Sequence, residues 1–168
     1  MLSFLFPRLT PSEASRGSAL FSALVGVARQ AHWYVEGQVP DTLDGRFAVL
    51  ATITALATVR LERGGEAART EAVALAERFV EAMDSEHREL GIGDPTLGKK
   101  VRKLVGALAR RVEIWSDAVD GDRWDSAVTA SLNASDADAL KHCEAALRQV
   151  WARLEAASDE ALGEGRIG

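Results

Sequence analysis

The chain has 168 residues, of which 47% are hydrophobic and 27% charged, and this is the size and composition of one soluble globular domain. Its net charge of −5 argues against general binding to DNA, which favours a basic protein surface. The single cysteine, Cys143, excludes an intramolecular disulfide, and the three histidines are too scattered to predict a metal cluster. The longest apolar run, residues 19–28, is too short to span a bilayer.

The first elements of the chain are predicted to be helices. Residues 1–10 lack the basic start of a secretory signal, and we expect them to be loose or to form a small interfacial anchor. A first helix is predicted from Pro11 to Gly37, because apolar residues recur there at helical spacing. A second helix begins among the N-cap candidates at 41–44 and ends at Gly64. This second helix is apolar almost all round, which predicts a central position in the fold.

The second half of the chain continues the helical pattern. The remaining helices are predicted from Glu66 to Leu90, from the cap signal Asp94-Pro95 onward, briefly around Trp124, and from the cap signal Ser135-Asp136 onward. Residues 158–168 are rich in glycine and are expected to form a frayed tail. The sequence therefore predicts an all-α fold, a single-domain bundle of five or six helices that spans residues 1–168.

Residues 93–100 come close to the pattern of a phosphate-binding loop. Gly93, four further residues and the pair Gly98-Lys99 fit the G-x-x-x-x-G-K spacing. Lys100, however, stands where the pattern requires a serine or threonine to ligate magnesium. The segment also follows a predicted helix instead of a buried strand. A nucleotide-binding enzyme is therefore not favoured.

No other arrangement of side chains in the sequence predicts a catalytic site. Asp84 and His87 are three residues apart and can share one face of a helix, but a di-iron site in a bundle needs that motif twice. Cys143 falls on the apolar stripe of its helix and is expected to be a buried hydrophobe, with His142 at the surface. We expect no enzyme activity, no metal, no cofactor and no small-molecule substrate.

A cluster of cations opens the fourth predicted helix. Lys99, Lys100, Arg102 and Lys103 lie in its first turns, where the helix dipole disfavours each exposed cation by about 0.3–1 kcal/mol. Two interpretations stay open. The positive potential serves to bind an acidic partner, or the cations pair with acidic residues of the same chain.

The start of the second predicted helix is unusual because it contains a glycine. Gly45 in the first turn is disfavoured by helix propensity by about 1 kcal/mol, so its presence suggests a close approach of another backbone. Arg46 beside it can form a forked contact with a carboxylate, for which Asp84 and Glu89 are candidates.

Two stretches together resemble the ubiquinol–cytochrome c chaperone family, whose members assist assembly of cytochrome b in the respiratory bc1 complex. The first stretch is Val39-Pro40-Asp41-Thr42 followed by Gly45-Arg46-Phe47, and the second is Met83-Asp84, Arg88-Glu89, Gly91, Gly93-Asp94 and Gly98-Lys99-Lys100-Val101. The resemblance extends from His32 to about Trp115, and no signature follows it.

The resemblance implies a helical, non-catalytic chaperone that binds newly made cytochrome b and lies in the bacterial cytoplasm, peripheral to the inner membrane. The residues it places at the partner-binding face are Gly45, Arg46, Asp84, Arg88, Glu89 and Asp94. The alternative is that some of them hold the turn between the third and fourth helices against the start of the second. The basic group Lys99, Lys100, Arg102 and Lys103 is then expected to face a cytochrome b loop, an anionic membrane surface or the ribosome. The alternatives are an enzyme, or a generic helical adaptor that binds a partner or a membrane through the basic group.

Overall fold

The computed structural model describes residues 15–89, 97–134 and 136–168, without the side chains of residues 86–89 and 97. This part of the chain forms seven α-helices and contains no β-strand, which confirms the predicted all-α single domain with one helix more than expected. The helices are α1 (Ser18–Ala28), α2 (Leu43–Glu62), α3 (Glu66–Glu89), α4 (Leu97–Gly121), α5 (Trp124–Leu132), α6 (Ala137–Ala156) and α7 (Asp159–Gly163).

Helix α2 lies at the centre of the bundle, as its apolar sequence predicts. It packs against α1, α3, α4, α5 and α6, and every residue from Ala48 to Val59 is buried. The threonines inside this run need partners because a buried hydroxyl without a hydrogen bond is costly. Thr52 and Thr58 meet this need by donating to carbonyl oxygens one turn earlier in the same helix, at 2.7 and 2.9 Å. Thr54 Oγ1, between them, is buried without a partner in the described part of the chain.

Helix α1 ends nine residues before the predicted boundary at Gly37. The chain leaves the helix after Ala28, and a single 3₁₀ turn follows at Ala31–Trp33. Aromatic side chains from beyond the helix satisfy its last carbonyls: Trp33 Nε1 donates to the Val27 oxygen at 2.9 Å, and the Tyr34 hydroxyl donates to the Ala28 oxygen at 3.0 Å. The prediction was wrong because these contacts fold the chain back onto the helix end.

Helices α3 and α4 agree with their predicted positions where the structure describes them. The predicted end at Leu90 and the predicted start at Asp94-Pro95 lie outside the described residues. The apolar stripe of α4 faces the core through Leu104, Leu108 and Trp115. Trp115 Nε1 also donates to Ser131 Oγ at 3.0 Å, which ties α4 to α5.

The C-terminal tail contains a short helix, α7, where the sequence predicts fraying. Leu162 of α7 is fully buried, and Ile167 beyond it is also buried. Arg60 of α2 holds this region, because its guanidinium donates to the Ala157 oxygen at 2.8 Å and pairs with Asp159 at 2.9 Å. The glycine content suggested a loose tail, but contacts from a helix far away in sequence order it.

Candidate functional site

An open groove of about 860 Å³ lies where α1, α2 and the end of α3 meet. One of its walls is the α1–α2 loop, residues 29–42. The residues that line the groove are Phe21, Ser22, Val25, Ala28, Arg29, Ala31, Tyr34, Val35, Asp41, Arg46, Phe47, Leu50, Ala82 and Met83. The groove therefore combines residues from both stretches of the family resemblance, which are far apart in sequence.

The groove has an apolar interior. Phe21 and Val25 of α1 contribute half-buried side chains, and Phe47 and Met83 contribute from α2 and α3. Val35 at the edge is 67% exposed and adds apolar surface beside the groove. Apolar surface that remains open beside a concave site is typical of a surface that another molecule covers.

Charged side chains border this apolar interior. Arg46 Nε lies 2.7 Å from Asp41 Oδ1, and both side chains are more than half exposed, at 67% and 59%. Arg29 is also exposed and forms no ion pair within the described part of the chain. Among the described residues that line the groove, two guanidinium groups and one carboxylate give a net positive charge.

Gly45 allows the chain to turn sharply into α2 beside the groove. A Cβ atom on Gly45 would overlap the carbonyl oxygen of Pro40 and lie 2.9 Å from its carbonyl carbon. Thr42 caps the helix, since its Oγ1 accepts from the Gly45 amide at 3.2 Å. The close backbone approach inferred from the sequence is thus present, and it involves the chain's own loop. This contact sets the positions of Asp41 and Arg46.

The opposite side of the α1–α2 loop is fixed to α6. Gly37 packs so closely on Cys143 that a Cβ there would lie 2.8 Å from the Cys143 sulfur. The Cys143 thiol, fully buried as predicted, donates to the Gly37 oxygen at 3.6 Å, and burial raises its pKa. Gln38 donates to Asp136 Oδ2 at 3.2 Å. The groove wall is therefore held against α6 along much of its length.

A histidine pair adds a titratable contact between the loop and α6. His32 Nδ1 lies 3.0 Å from His142 Nε2, and His32 Nε2 lies 3.1 Å from Gln30 Oε1. Because an amide oxygen only accepts, His32 Nε2 donates to Gln30, and the neutral ring accepts from His142 through Nδ1. The sequence placed His142 at the surface, whereas it is half-buried in this contact.

Acidification is expected to weaken the fold through His32. Burial, and secondarily the neighbouring His142, lower the pKa of His32 below its ordinary 6.5, while Glu36 opposes the shift. The unfolded chain then binds this proton more readily, so the stability present above pH 6.5 is lost as the pH falls through the native pKa. Urea unfolding between pH 7.5 and 5 should show a shallower loss of stability in His32→Gln than in the original protein.

Glu36→Gln provides a control of opposite sign for this pH dependence. Removing the Glu36 charge deepens the depression of the His32 pKa, so the loss of stability on acidification should become steeper. Equal pH profiles for the original protein and both variants would show that protonation of His32 does not contribute to the pH dependence of stability.

The predicted partner-binding residues fall into three sets. Arg46 lines the groove, Gly45 precedes it at the turn into α2, and Asp84 follows the groove residue Met83 as a half-buried residue of α3. The side chains of Arg88 and Glu89, and all of Asp94, lie outside the described part of the structure.

The third set is the basic start of α4, which is not part of the groove lining. Lys99, Arg102 and Lys103 are exposed there, and Lys100 is half-buried. Arg111, farther along α4, points inward, where its guanidinium lies 5.5 Å from the centre of the Phe47 ring and donates to the Ser131 oxygen at 3.3 Å.

The comparison with family models covers most of the chain. The model described as Ubiquinol-cytochrome C chaperone matches residues 35–167. The chain belongs to the ubiquinol–cytochrome c chaperone family. The match extends well beyond Trp115, where the motifs visible in the sequence end, so the C-terminal helices are also part of the family fold.

A solved structure supports the membership of this chaperone family. The chain is similar to the protein described as "Crystal structure of the Cbp3 homolog from Brucella abortus", with 30% sequence identity and a TM-score of 0.81. The alignment covers 100% of this chain and 96% of that chain. No curated protein matches the sequence.

Neither a metal-binding cluster nor a membrane-spanning helix occurs among the residues that the structure describes. Within residues 15–89, 97–134 and 136–168, no three histidine, cysteine, aspartate or glutamate residues are placed to hold a metal ion. In the same residues, no helix combines the length and apolar character needed to cross a bilayer.

Sequence reasoning missed several residues of the groove. It considered Asp84 and Glu89 as partners of Arg46 and did not consider Asp41 for this role, although Asp41 is only five residues away. A contact of Arg46 with Asp84 or Glu89 stays a prediction. A carboxylate just before an N-cap, with an arginine in the following turn, is the local signal that identifies this pair. Arg29 and Val35 carry no such signal, because their exposure depends on the early end of α1.

Proposed function

We propose that this protein is an assembly chaperone that binds newly made cytochrome b and promotes biogenesis of the respiratory bc1 complex without catalysing a reaction. Family membership supports a role in bc1 assembly. The observation that supports binding of cytochrome b is the groove. Arg46 and Met83, which belong to two separate stretches of the family resemblance, lie together around its apolar interior. A membrane protein that awaits its partners exposes apolar segments of the kind that such a groove can cover.

The basic start of α4 supports a place beside the bacterial inner membrane. Exposed lysine or arginine residues near an anionic surface each contribute about 1 kcal/mol of attraction. Lys99, Arg102 and Lys103 are exposed and adjacent on α4. We propose that they keep the chaperone at the cytoplasmic face, through anionic lipids or acidic groups near the site of cytochrome b synthesis.

Recovery of cytochrome b tests the main proposal. The tagged protein is purified from native membranes solubilised in a mild detergent, and the bound proteins are identified by mass spectrometry. Enrichment of cytochrome b over other inner-membrane proteins is expected. Its absence, together with normal bc1 assembly and haem-loaded cytochrome b in a deletion strain, would overturn the proposal.

Charge reversal at α4 is expected to release the protein from anionic membranes. Lys99→Glu with Lys103→Glu changes exposed side chains, so the melting temperature should stay within about 2 °C of the original. Binding to vesicles that contain phosphatidylglycerol should fall at least tenfold, since two attractions of about 1 kcal/mol are replaced by repulsions. Sedimentation of the protein with the vesicles measures this change.

Arg69→Glu with Lys141→Glu is a matched control for this reversal. Both residues are exposed, they lie on α3 and α6, and their reversal changes the net charge by the same amount. If the control pair reduces vesicle binding as much as the α4 pair, only net charge matters. Strong vesicle binding without recovery of cytochrome b would favour the generic membrane adaptor instead.

A further inference from the structure

We propose that the groove binds an apolar polypeptide segment carrying a carboxylate, which pairs with Arg29 and takes the place of Asp41 at Arg46. This inference rests on the proposed function, because it describes the segment of the client protein that the chaperone holds. It assigns the groove a chemical preference: apolar side chains for its interior and one acidic side chain for its positive edge.

The interior of the groove fits side chains rather than a whole small molecule. It is open on one side, and its apolar residues come from three helices and a loop. An open apolar groove between helices is the usual docking surface for an amphipathic segment, whose apolar residues at positions i, i+3 and i+4 enter the groove together. Val35, 67% exposed at the edge, extends the apolar surface such a segment can cover.

The charges at the edge select an acidic segment. Arg29 forms no ion pair in the described part of the chain, so a carboxylate entering the groove meets a cation with no carboxylate partner there. The Arg46–Asp41 pair is exposed, and an exposed pair contributes only about 0–1 kcal/mol, so its exchange for another carboxylate costs little. A basic segment would instead add a third positive charge beside the two arginines.

The same charge argument disfavours the chain's own N-terminus as the occupant. Residues 1–14 are apolar enough for the groove, but they contain one arginine and one glutamate. These two charges cancel, so the segment has no net negative charge with which to neutralise Arg29 and Arg46. A phospholipid has the required negative charge, but the open side of the groove leaves its acyl chains unenclosed.

Peptide binding tests the inference directly. Fluorescein-labelled 20-residue peptides that tile the cytochrome b encoded in the same genome are titrated with the purified full-length protein, and fluorescence anisotropy gives Kd. The peptides that bind are expected to combine apolar residues at helical spacing with an aspartate or glutamate. Arg29→Glu with Arg46→Glu should weaken their binding at least tenfold, while Arg69→Glu with Lys141→Glu should leave it unchanged.

Swapping the charges of the peptide and the groove tests whether a specific ion pair, and not general electrostatic attraction, holds the peptide. A bound peptide whose acidic residue is changed to lysine should bind weakly to the original protein and recover at least tenfold with the Arg29→Glu, Arg46→Glu variant. Failure of every peptide to bind the original protein, or equal binding by the double variant, overturns the inference. Thermal melting confirms that the variants are folded.

Two other occupants give distinct results. If the protein without residues 1–14 binds a peptide of those residues more tightly than any cytochrome b peptide, the groove belongs to the N-terminal segment. Arginine-dependent binding of phosphatidylglycerol vesicles without peptide binding would assign it to lipid, and either result overturns the inference. The affinity purification from native membranes separates this inference from the proposed function. If the original protein and the Arg29→Glu, Arg46→Glu variant recover cytochrome b equally, the groove is not the binding site but the proposed function stands. If neither recovers cytochrome b, the proposed function is rejected.

Discussion

Gly45→Ala is expected to destabilise the protein strongly, although alanine is the better helix former. The added Cβ would overlap the Pro40 carbonyl oxygen, which is backbone and cannot rotate away as a side chain can. Overpacking of this kind costs about 3 kcal/mol, so the melting temperature should fall by roughly 6–12 °C. The displaced turn carries Asp41 and Arg46, so binding at the groove should weaken as well. Thermal and urea unfolding measure the first effect.

Gly106→Ala is the matched control for this substitution. Gly106 also lies in a helix, but a Cβ there meets no atom within 4 Å. The change should therefore stabilise α4 by about 1 kcal/mol through helix propensity alone. Two glycine-to-alanine changes in helices are thus expected to have opposite signs. A stabilising effect at both positions would mean that the turn before α2 adjusts without cost.

Trp33→Ala is expected to have the largest effect of all, a loss of about 4 kcal/mol and roughly 8–16 °C in melting temperature. The indole is fully buried, and its nitrogen donates to the Val27 oxygen at the end of α1. Truncation leaves a cavity and releases the α1–α2 loop from the helix it caps. Urea unfolding followed by circular dichroism gives the free energy of unfolding.

Two variants divide the effect of Trp33 into its parts. Trp33→Phe keeps an aromatic ring in the core but loses the indole N–H donor. Because the Val27 oxygen still accepts from the backbone N–H of Gln30 at 3.3 Å, much of the stability should remain. Val35→Ala, two residues later and 67% exposed, should change stability by less than about 0.5 kcal/mol. A cost for Trp33→Ala as small as that for Val35→Ala would contradict the packing described here.

The central helix could be predicted from the sequence because its signals are local. Thr42 stands at the N-cap, Gly64 lies just beyond the end, and the apolar residues between them leave no polar face for solvent. Each signal acts within a few residues, so the sequence alone indicates both the helix and its burial. The glycine at the first turn was similarly informative, since only a close approach explains a residue that helices disfavour there.

The errors concern tertiary contacts that lie outside the helical pattern, one set at the end of α1 and one between α2 and the C-terminal tail. Helix α1 ends early because Trp33 and Tyr34 fold back on it, and α7 is ordered because Arg60 reaches it from nearly one hundred residues away. Neither contact can be predicted from the hydrophobic periodicity or the composition of the sequence. The groove depends on the same kind of contact, since Arg46 and Met83 meet only after α2 and α3 pack together. The sequence therefore indicated residues of the site without indicating its shape.

Arg111 has a consequence for how binding at the groove responds to salt. Its guanidinium lies over Phe47 and pairs with no carboxylate in the described residues, and burial lowers its pKa. A cation beneath an apolar wall is screened much less by dissolved ions than Arg29 and Arg46 at the edge. Attraction for an acidic segment should thus have two components, one that disappears by about 0.5 M NaCl and one that persists. Such a protein retains a preference for acidic segments even where high ionic strength has removed its surface electrostatics.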